Sequence, residues 1–258
     1  MDRLLELTSR AEASHFWFRG FRRFVAPALA DAAAGRTNLT LLDCGCGTGF
    51  NLRMLMPYGT AYGMDLTAAG LDIARNTGRP LVRADATRIP YRSSTFDLVT
   101  SFDMLQCVPD DVSAVREMAR VLKPGGRLVA TVAALDTLHG DHSVLSEEVR
   151  RYSRGAAMGL LRQAGLSPVR VTYAFASIVP LLFGVRTLQR LRRGHSSAGE
   201  AEITVPAAPV NAALSVLVIA EAVVARYIPM PFGSSLVIAA EKRGSYKLGS
   251  GVISSRVS

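Results

Sequence analysis

A chain of 258 residues, nearly half of them apolar, buries one large core or one core carrying a sizeable insertion, which excludes a disordered chain. Cys44, Cys46 and Cys107, with no clustered histidines, make neither a disulfide framework nor a zinc set, so no metal is expected and a reducing, cytoplasmic compartment is. The net charge of +9 invites a nucleic-acid reading, but 27 of the 30 basic residues are arginines scattered in pairs such as Arg22-Arg23; no nucleic-acid partner is expected, and an acidic small substrate suits the charge as well.

The opening Met1-Asp2-Arg3-Leu4-Leu5-Glu6 is charged from the start and lacks the apolar stretch of a signal peptide. Residues 1–38 read as a helical cap in which Phe16, Trp17, Phe18, Phe21 and Phe24 are concentrated. Leu39 to Asp43 is a short apolar run ending in an acid and a glycine-rich turn, a first buried strand. Ala61 to Asp65 is a second, and Thr67 is placed to cap the helix after it. Leu81 to Asp85 and Phe96 to Ser101 are the third and fourth. Val115, Met118, Ala119 and Leu122 then fall at helical spacing, and Lys123-Pro124-Gly125-Gly126 stops that helix. Arg127 to Val132 is a fifth strand, Ser153 caps a helix ending near Gly165, and Val169 to Tyr173 is a sixth strand.

Residues 174–234 break this rhythm with the apolar Ile178 to Val185, a basic segment, a Ser/Gly/Ala/Pro loop and an apolar helix over Val210 to Tyr227. They read as a helical insertion or lid between a core at 39–173 and a last strand within 235–243; the Ser- and Gly-rich 244–258 reads as a flexible tail. No run reaches the roughly 20 uninterrupted apolar residues of a spanning helix. Leu214 to Ile228 comes nearest and contains Glu221 and Arg226, so no transmembrane segment is expected. Strands alternating with helices imply an open, mostly parallel α/β sheet of about seven strands with helices on both faces, which binds its ligand at the carboxyl ends of the strands.

Leu41-Leu42-Asp43-Cys44-Gly45-Cys46-Gly47-Thr48-Gly49 carries the strongest signal. Alternate glycines turn the chain tightly after a strand and let a ligand approach the backbone. A dinucleotide fingerprint wants its third glycine at position 50, which is Phe50, so a nicotinamide oxidoreductase is disfavoured. Asp65 is placed to accept hydrogen bonds from both hydroxyls of a ribose, and Asp85, followed by Ala86, to accept from an adenine amino group. Each acid alone suits a turn or cap; three acids at three strand ends are hard to explain as capping.

The segments LLDCGCGTG (41–49), YGMD (62–65), ADATRIPY (84–91), STFDLVTSFDMLQCVPD (94–110) and REMARVLKPGGRLV (116–129), in this order and spacing over about 39–132, resemble the class I S-adenosylmethionine (SAM)-dependent methyltransferases. The resemblance implies a Rossmann-like fold, SAM as cofactor and S-adenosylhomocysteine as product. It implies that Asp43 to Gly49, with Cys44, Gly45 and Gly47 among them, cradle the amino acid end of the cofactor. Asp65, with Leu66 beside it, would hold the ribose, Asp85 and Ala86 would meet the adenine, and Phe102 and the loop to Cys107 would flank the cofactor. Many relatives have histidine where this chain has Cys107. A narrower resemblance is carried by His15-Phe16-Trp17-Phe18-Arg19, which looks like the HxWFR opening of a largely bacterial subgroup. Asp141-His142, Arg150-Arg151-Tyr152-Ser153 and Pro231-Phe232-Gly233-Ser234-Ser235 look like that subgroup too. Trp17 and its aromatic neighbours suit a sulfonium and the exclusion of water, and Arg19 or Arg22 can hold the cofactor's carboxylate. Anchoring of an N-terminal helix is the plainer role of those rings, and both can hold.

Methyl transfer from a sulfonium rests on alignment, with a base needed where the acceptor is a hydroxyl, phenol or acidic carbon. His142 is the first choice for that base, with His15 and Tyr152 behind it; His139 and Asp141 lie nearby in sequence. An Asn/Asp-Pro-Pro-aromatic motif, common among enzymes that methylate base or amide nitrogens, is replaced by Ser101-Phe102-Asp103-Met104. The expected reaction is therefore methylation at oxygen or carbon of a small, hydrophobic, natural-product or lipid-like metabolite. The insertion would form its pocket or lid, a homodimer surface or a lipid contact. The alternatives are a non-methylating step on the same fold, such as cyclisation or cyclopropane formation, and a non-catalytic SAM-binding protein.

Overall fold

The structure is a computed structural model that describes residues 2–138, 140–191 and 204–244. Two helices, α1 (Asp2–Ala11) and α2 (Phe16–Ala33), precede the first strand. The strands are β1 (Leu39–Cys44), β2 (Gly59–Asp65), β3 (Leu81–Arg83), β4 (Phe96–Phe102), β5 (Leu122–Ala133), β6 (Leu166–Ala174) and β7 (Ser235–Lys242). Between them run α3 (Leu52–Leu55), α4 (Ala68–Ala74), α5 (Asp111–Val121), α6 (Asp141–Leu145), α7 (Arg154–Gln163), α8 (Val179–Leu191) and α9 (Ala208–Tyr227). One seven-stranded sheet results, in the order β3-β2-β1-β4-β5-β7-β6, with β7 antiparallel to both of its neighbours.

The sheet is buried on both faces, which is why its strands read as apolar runs rather than as alternations. On one face Leu42, Val99, Leu128 and Ile238 pack with α5 and α7 through Val115, Met118 and Leu161. On the other, Leu41, Leu98, Val129 and Val237 meet Phe21, Phe24, Val25 and Leu29 of α2 and Val218 and Ala222 of α9. Ser153 acts as read, accepting from the Ala156 N–H at the start of α7, and Asp110 likewise accepts from the Ser113 N–H at the start of α5; the expected helix stop at Lys123 to Gly126 instead forms the first part of β5. Thr67 is a correction. It sits at the N-cap of α4, but its hydroxyl donates to Asp65 Oδ1 (2.7 Å) and makes no cap bond. β3 is also shorter than expected. It ends at Arg83, which leaves Asp85 in the turn beyond it.

The crossover order places the carboxyl ends of β1, β2, β4 and β5 at one end of the sheet. Ala174 and Ser235 are register partners, so the helical insertion leaves and returns at that same end. The arrangement gathers the glycine-rich turn, the α1–α2 junction and the insertion around one opening.

Candidate functional site

These parts enclose a cavity of about 1160 Å³, above the roughly 300–1,000 Å³ of a pocket for one small ligand. Its floor is the turn after β1. Gly45, Gly47 and Gly49 all have positive φ (+82°, +50° and +77°), the region that favours glycine. The N–H groups of Gly45 and Cys46 donate to the Met64 carbonyl (2.7 and 2.9 Å), and Gly47 N–H donates to Asp65 Oδ2 (2.7 Å). The other oxygen of Asp65 accepts from the Thr67 N–H and hydroxyl (2.8 and 2.7 Å), so its carboxylate is fixed at the end of β2. A Cβ at Gly49 would stand 2.8 Å from Ala74 Cβ, so only glycine lets α4 lie against the turn.

Gly45, Cys46, Gly47 and Thr48 line the cavity, while Asp43, Cys44 and Gly49 lie beneath it. Asp43 is buried. Thr100 Oγ1 donates to its Oδ1 (2.7 Å), and its Oδ2 has no partner among the described residues. Burial, opposed by the Thr100 bond and reinforced by the charge of Asp65, pushes its carboxyl up to about 7. Burial also raises the Cys44 and Cys46 thiols, leaving both inert.

Along the β2–β3 edge, Leu66 is exposed on the rim and Ala86 is buried in the wall. Asp85 lines the cavity, with its Oδ1 accepting from the Thr87 N–H and hydroxyl. The aromatic segment serves two ends. Phe21 meets Phe102 edge to face (5.4 Å), Trp17 stacks on Phe175 (4.0 Å) and Phe24 tilts against the same ring (4.9 Å). Phe16, Trp17, Phe18, Phe21 and Phe102 line the cavity. Arg19 points to solvent and lies outside the lining, as does Arg22. The Arg22 guanidinium donates to the Glu12 carbonyl (2.8 Å) and lies 4.8 Å over the Phe50 ring. The folded position of α2 thus removes both arginines from the place expected for them.

Of the expected bases whose side chains are described, His15 lines the cavity and Tyr152 does not. The His15 Nδ1 accepts from the Trp17 N–H (3.1 Å) as the cap of α2, so the lone pair a base would use is engaged. Tyr152 is buried away from the lining. Its hydroxyl donates to Asp111 Oδ2 (2.7 Å), and burial with that carboxylate raises it far above the phenol range. His142 lies in α6, and its side chain falls outside the described residues, as does the whole of His139.

The sequence reading missed three groups that do reach the cavity. Asp103 follows β4 with φ +50°; its Oδ1 accepts from Thr131 Oγ1 (2.9 Å). It is open to the cavity yet deep within the fold, and that desolvation raises its carboxyl to about 6, against the Thr131 bond and with help from Glu148. Glu12, buried, accepts from Thr48 Oγ1 (2.7 and 2.8 Å), and burial raises it as well. Glu148 pairs with Arg151 (2.9 Å). Asp103 follows a strand end, the signal that singled out Asp65 and Asp85; nothing marks Glu12 or Glu148. Cys107 also lines the cavity, its thiol donating to the Ser146 carbonyl (3.1 Å). Burial and three nearby carboxylates push it up to about 12, so it is no thiolate at neutral pH. Among the described lining residues, seven carboxylates face one guanidinium, that of Arg151. This wall opposes an acidic substrate and favours a cation.

Residues 42–130 match the methyltransferase domain family. A demethylmenaquinone methyltransferase of Roseiflexus sp. (strain RS-1) is 33% identical over 162 residues, covering 60% of this chain and 65% of that protein. The match therefore spans just under two thirds of that relative. Among solved structures, the protein of Haloferax volcanii in complex with the Trm112 methyltransferase activator superposes with a TM-score of 0.59 at 20% identity, over 94% of this chain and 95% of that one. The cyclase SpnF does so with a TM-score of 0.57 at 20% identity, over 86% and 82%. At such identity these two likenesses establish the fold alone.

Proposed function

We propose that this chain, which carries a methyltransferase domain of the class I SAM-dependent type over residues 42–130, transfers a methyl group to carbon or oxygen of a small hydrophobic acceptor. The observation that carries the reading is the glycine turn backed by fixed and buried carboxylates and opening into a cavity with room for two ligands side by side. The residues present suit SAM on their own chemistry. Asp43 keeps an unpartnered buried acceptor directly under the turn, and the wall is rich in carboxylates where an ammonium and a sulfonium would sit.

In this reading Gly45, Cys46, Gly47 and Thr48 hold the amino acid end, with Asp43 as the charge beneath. Asp65 accepts from the ribose hydroxyls through the capacity left by Gly47 and Thr67, with Leu66 over the same edge. Asp85 and Ala86 bound the adenine, and Phe102, Trp17 and Phe21 close the site against water. The bound cofactor supplies a methyl group already activated on a sulfonium. The chain's own work is to align the acceptor and to hold its proton. Asp103 suits that last task better than His15 or Tyr152, since it faces the cavity and is fixed by Thr131. The acceptor class we infer is a quinone-like lipid or a metabolite of similar character, supported by the apolar mouth formed by Leu181, Leu182, Val210 and Leu214 and by the name of the relative.

The test is calorimetric titration with SAM and S-adenosylhomocysteine beside an Asp65→Ala variant, followed by labelled SAM with reduced naphthoquinones. Micromolar binding lost in the variant, with a product heavier by one methyl group, supports the reading. No binding by folded protein, even with acceptor present, overturns it. Turnover without a methyl increment in the product would instead establish the alternative, a non-methylating step on the same fold.

A further inference from the structure

The helix α9 has an outer face that no described residue of the chain covers. Its inner face is fully committed. Asn211 accepts from the Phe16 N–H (2.8 Å) and donates to the Ser14 carbonyl (2.9 Å), Val218 fills the space above Gly20, and Glu221 turns inward to accept from the N–H groups of Ala176 and Ser177 (2.7 and 2.9 Å). The opposite face presents Val210, Val216, Leu217, Val223, Val224 and Tyr227, between 44% and 74% exposed. On a helix these positions fall within one arc, and Ala213 and Ala220 fill the gaps, so five turns face solvent without a charge until Arg226. By length and composition alone this helix could cross a membrane, but with only 28% of its apolar window buried and its polar inner side bonded to α2, it lies along the protein surface.

We propose that the outer face of α9 docks the protein on an anionic lipid surface, with the helix lying in the plane of the interface. Three observations choose that occupant over a second copy of the chain. A stripe about 30 Å long and one helix wide offers on the order of 300 Å², well short of the roughly 800 Å² per partner of a stable dimer, yet suited to shallow insertion among acyl chains. The flanking charge is positive. Arg226 is exposed beside Tyr227, and Arg19 and Arg23 are exposed on α2, along which α9 packs, against Asp31 as the acid of that helix, in a chain of net charge +9. Finally, the patch runs into the cavity. Val210 and Leu181 are each about half exposed and also line it, so an apolar ligand can pass from the docked surface to the interior without crossing water. The inference does not depend on methyl transfer, since docking needs neither cofactor nor turnover.

The experiment is vesicle flotation of the full chain with phosphatidylcholine alone and with an equal mixture of phosphatidylcholine and phosphatidylglycerol, at low and high salt. The wild type should float with the mixed vesicles, weakly with the neutral ones, and less as salt rises. Val216→Asp and Val223→Asp, both at exposed positions, should each weaken partition by about tenfold or more, while Val216→Leu should preserve it. Should an aspartate variant misfold, Arg19→Gln with Arg23→Gln reads the charge contribution instead, and should lower binding to the mixed vesicles alone. No flotation of folded wild type, or equal flotation of wild type and the aspartate variants, overturns the proposal. So does a sedimentation shift from dimer to monomer in those variants without vesicle binding, which would assign the face to self-association.

Discussion

Asp43→Asn should separate stability from binding. The wild-type carboxyl is raised from about 3.8 to about 7 by burial. Below the lower value it is protonated in both the folded and the unfolded chain and contributes nothing to the pH dependence. Between the two values the folded chain holds a proton that the unfolded chain has released, so stability falls as pH rises, and above about 7 the full loss persists. About three units correspond to roughly 4 kcal/mol at most. Asparagine removes this loss and can keep the Thr100 bond, but its amide nitrogen inherits the unpartnered position of Oδ2, which costs about 1–3 kcal/mol. The variant should thus be more stable than wild type by about 1–3 kcal/mol at pH 8, equivalent to roughly 2–12 °C in Tm for a chain of this size. The advantage should shrink and then reverse towards pH 4. Differential scanning fluorimetry of both proteins across that range reads the difference directly, since other titrating groups cancel. S-adenosylhomocysteine should restore the order by stabilising wild type more than the variant, because its ammonium needs the charge. A variant less stable at pH 8, or a stability difference independent of pH, would refute the assignment of Asp43 as a desolvated carboxylate awaiting a cation.

If Asp103 takes the acceptor's proton, Asp103→Asn should lower kcat by about 10²–10⁴-fold with cofactor affinity almost unchanged. The acid limb of the wild-type kcat/KM profile, near pH 6 from the raised carboxyl, should vanish with it; a loss of under tenfold would assign the proton elsewhere. Gly49→Ala should destabilise by about 2–5 kcal/mol in urea melts, from left-handed backbone and overpacking on Ala74. Gly78→Ala, at φ +65° in open space, should lose only about 1–2 kcal/mol, and equal losses at the two sites would show that contact with α4 is irrelevant. Cys107→Ser should keep turnover within about twofold, and the wild-type thiol should alkylate slowly at neutral pH, as a group raised to about 12 must.

What the sequence made legible depends on how far apart the interacting residues lie. The central strands β1 and β4 were readable because burial on both faces imposes an apolar run, and the turn after β1 because its glycines answer a backbone demand that is local. Asp65 was legible as a strand-end acid for the same reason. Arg19 was misjudged because its direction is set by how α2 packs on α9, through Asn211 and Val218, nearly two hundred residues away. Tyr152 was misjudged because its partner, Asp111 at the start of α5, is brought to it only when the segment before α7 pairs with the end of β5. Glu12 was invisible on similar grounds: its bond to Thr48 joins the N-terminal helices to the glycine turn, and no spacing rule links those positions. Asp103 was within reach. The strand-end rule applies to β4 as to β2, since Asp103 directly follows Phe102.

The two signs of charge in this molecule then have separate places. The positive excess lies at the surface, where Arg19, Arg23 and Arg226 are exposed, while the described wall of the cavity is acidic. A cationic ligand is repelled by the whole and attracted by the part, and at physiological salt screening over about 8 Å removes most of the first effect and little of the second. The buried carboxylates Asp43 and Glu12 pay for that attraction in the empty protein, through raised pKa values and lost stability, and regain it when a cation arrives. An acidic lining inside a basic shell is therefore consistent, on electrostatics alone, with a protein that takes a cation inside and approaches an anionic surface outside. Removing one charge pattern at a time, with an asparagine at Asp43 or glutamates along α9, should weaken one interaction without touching the other.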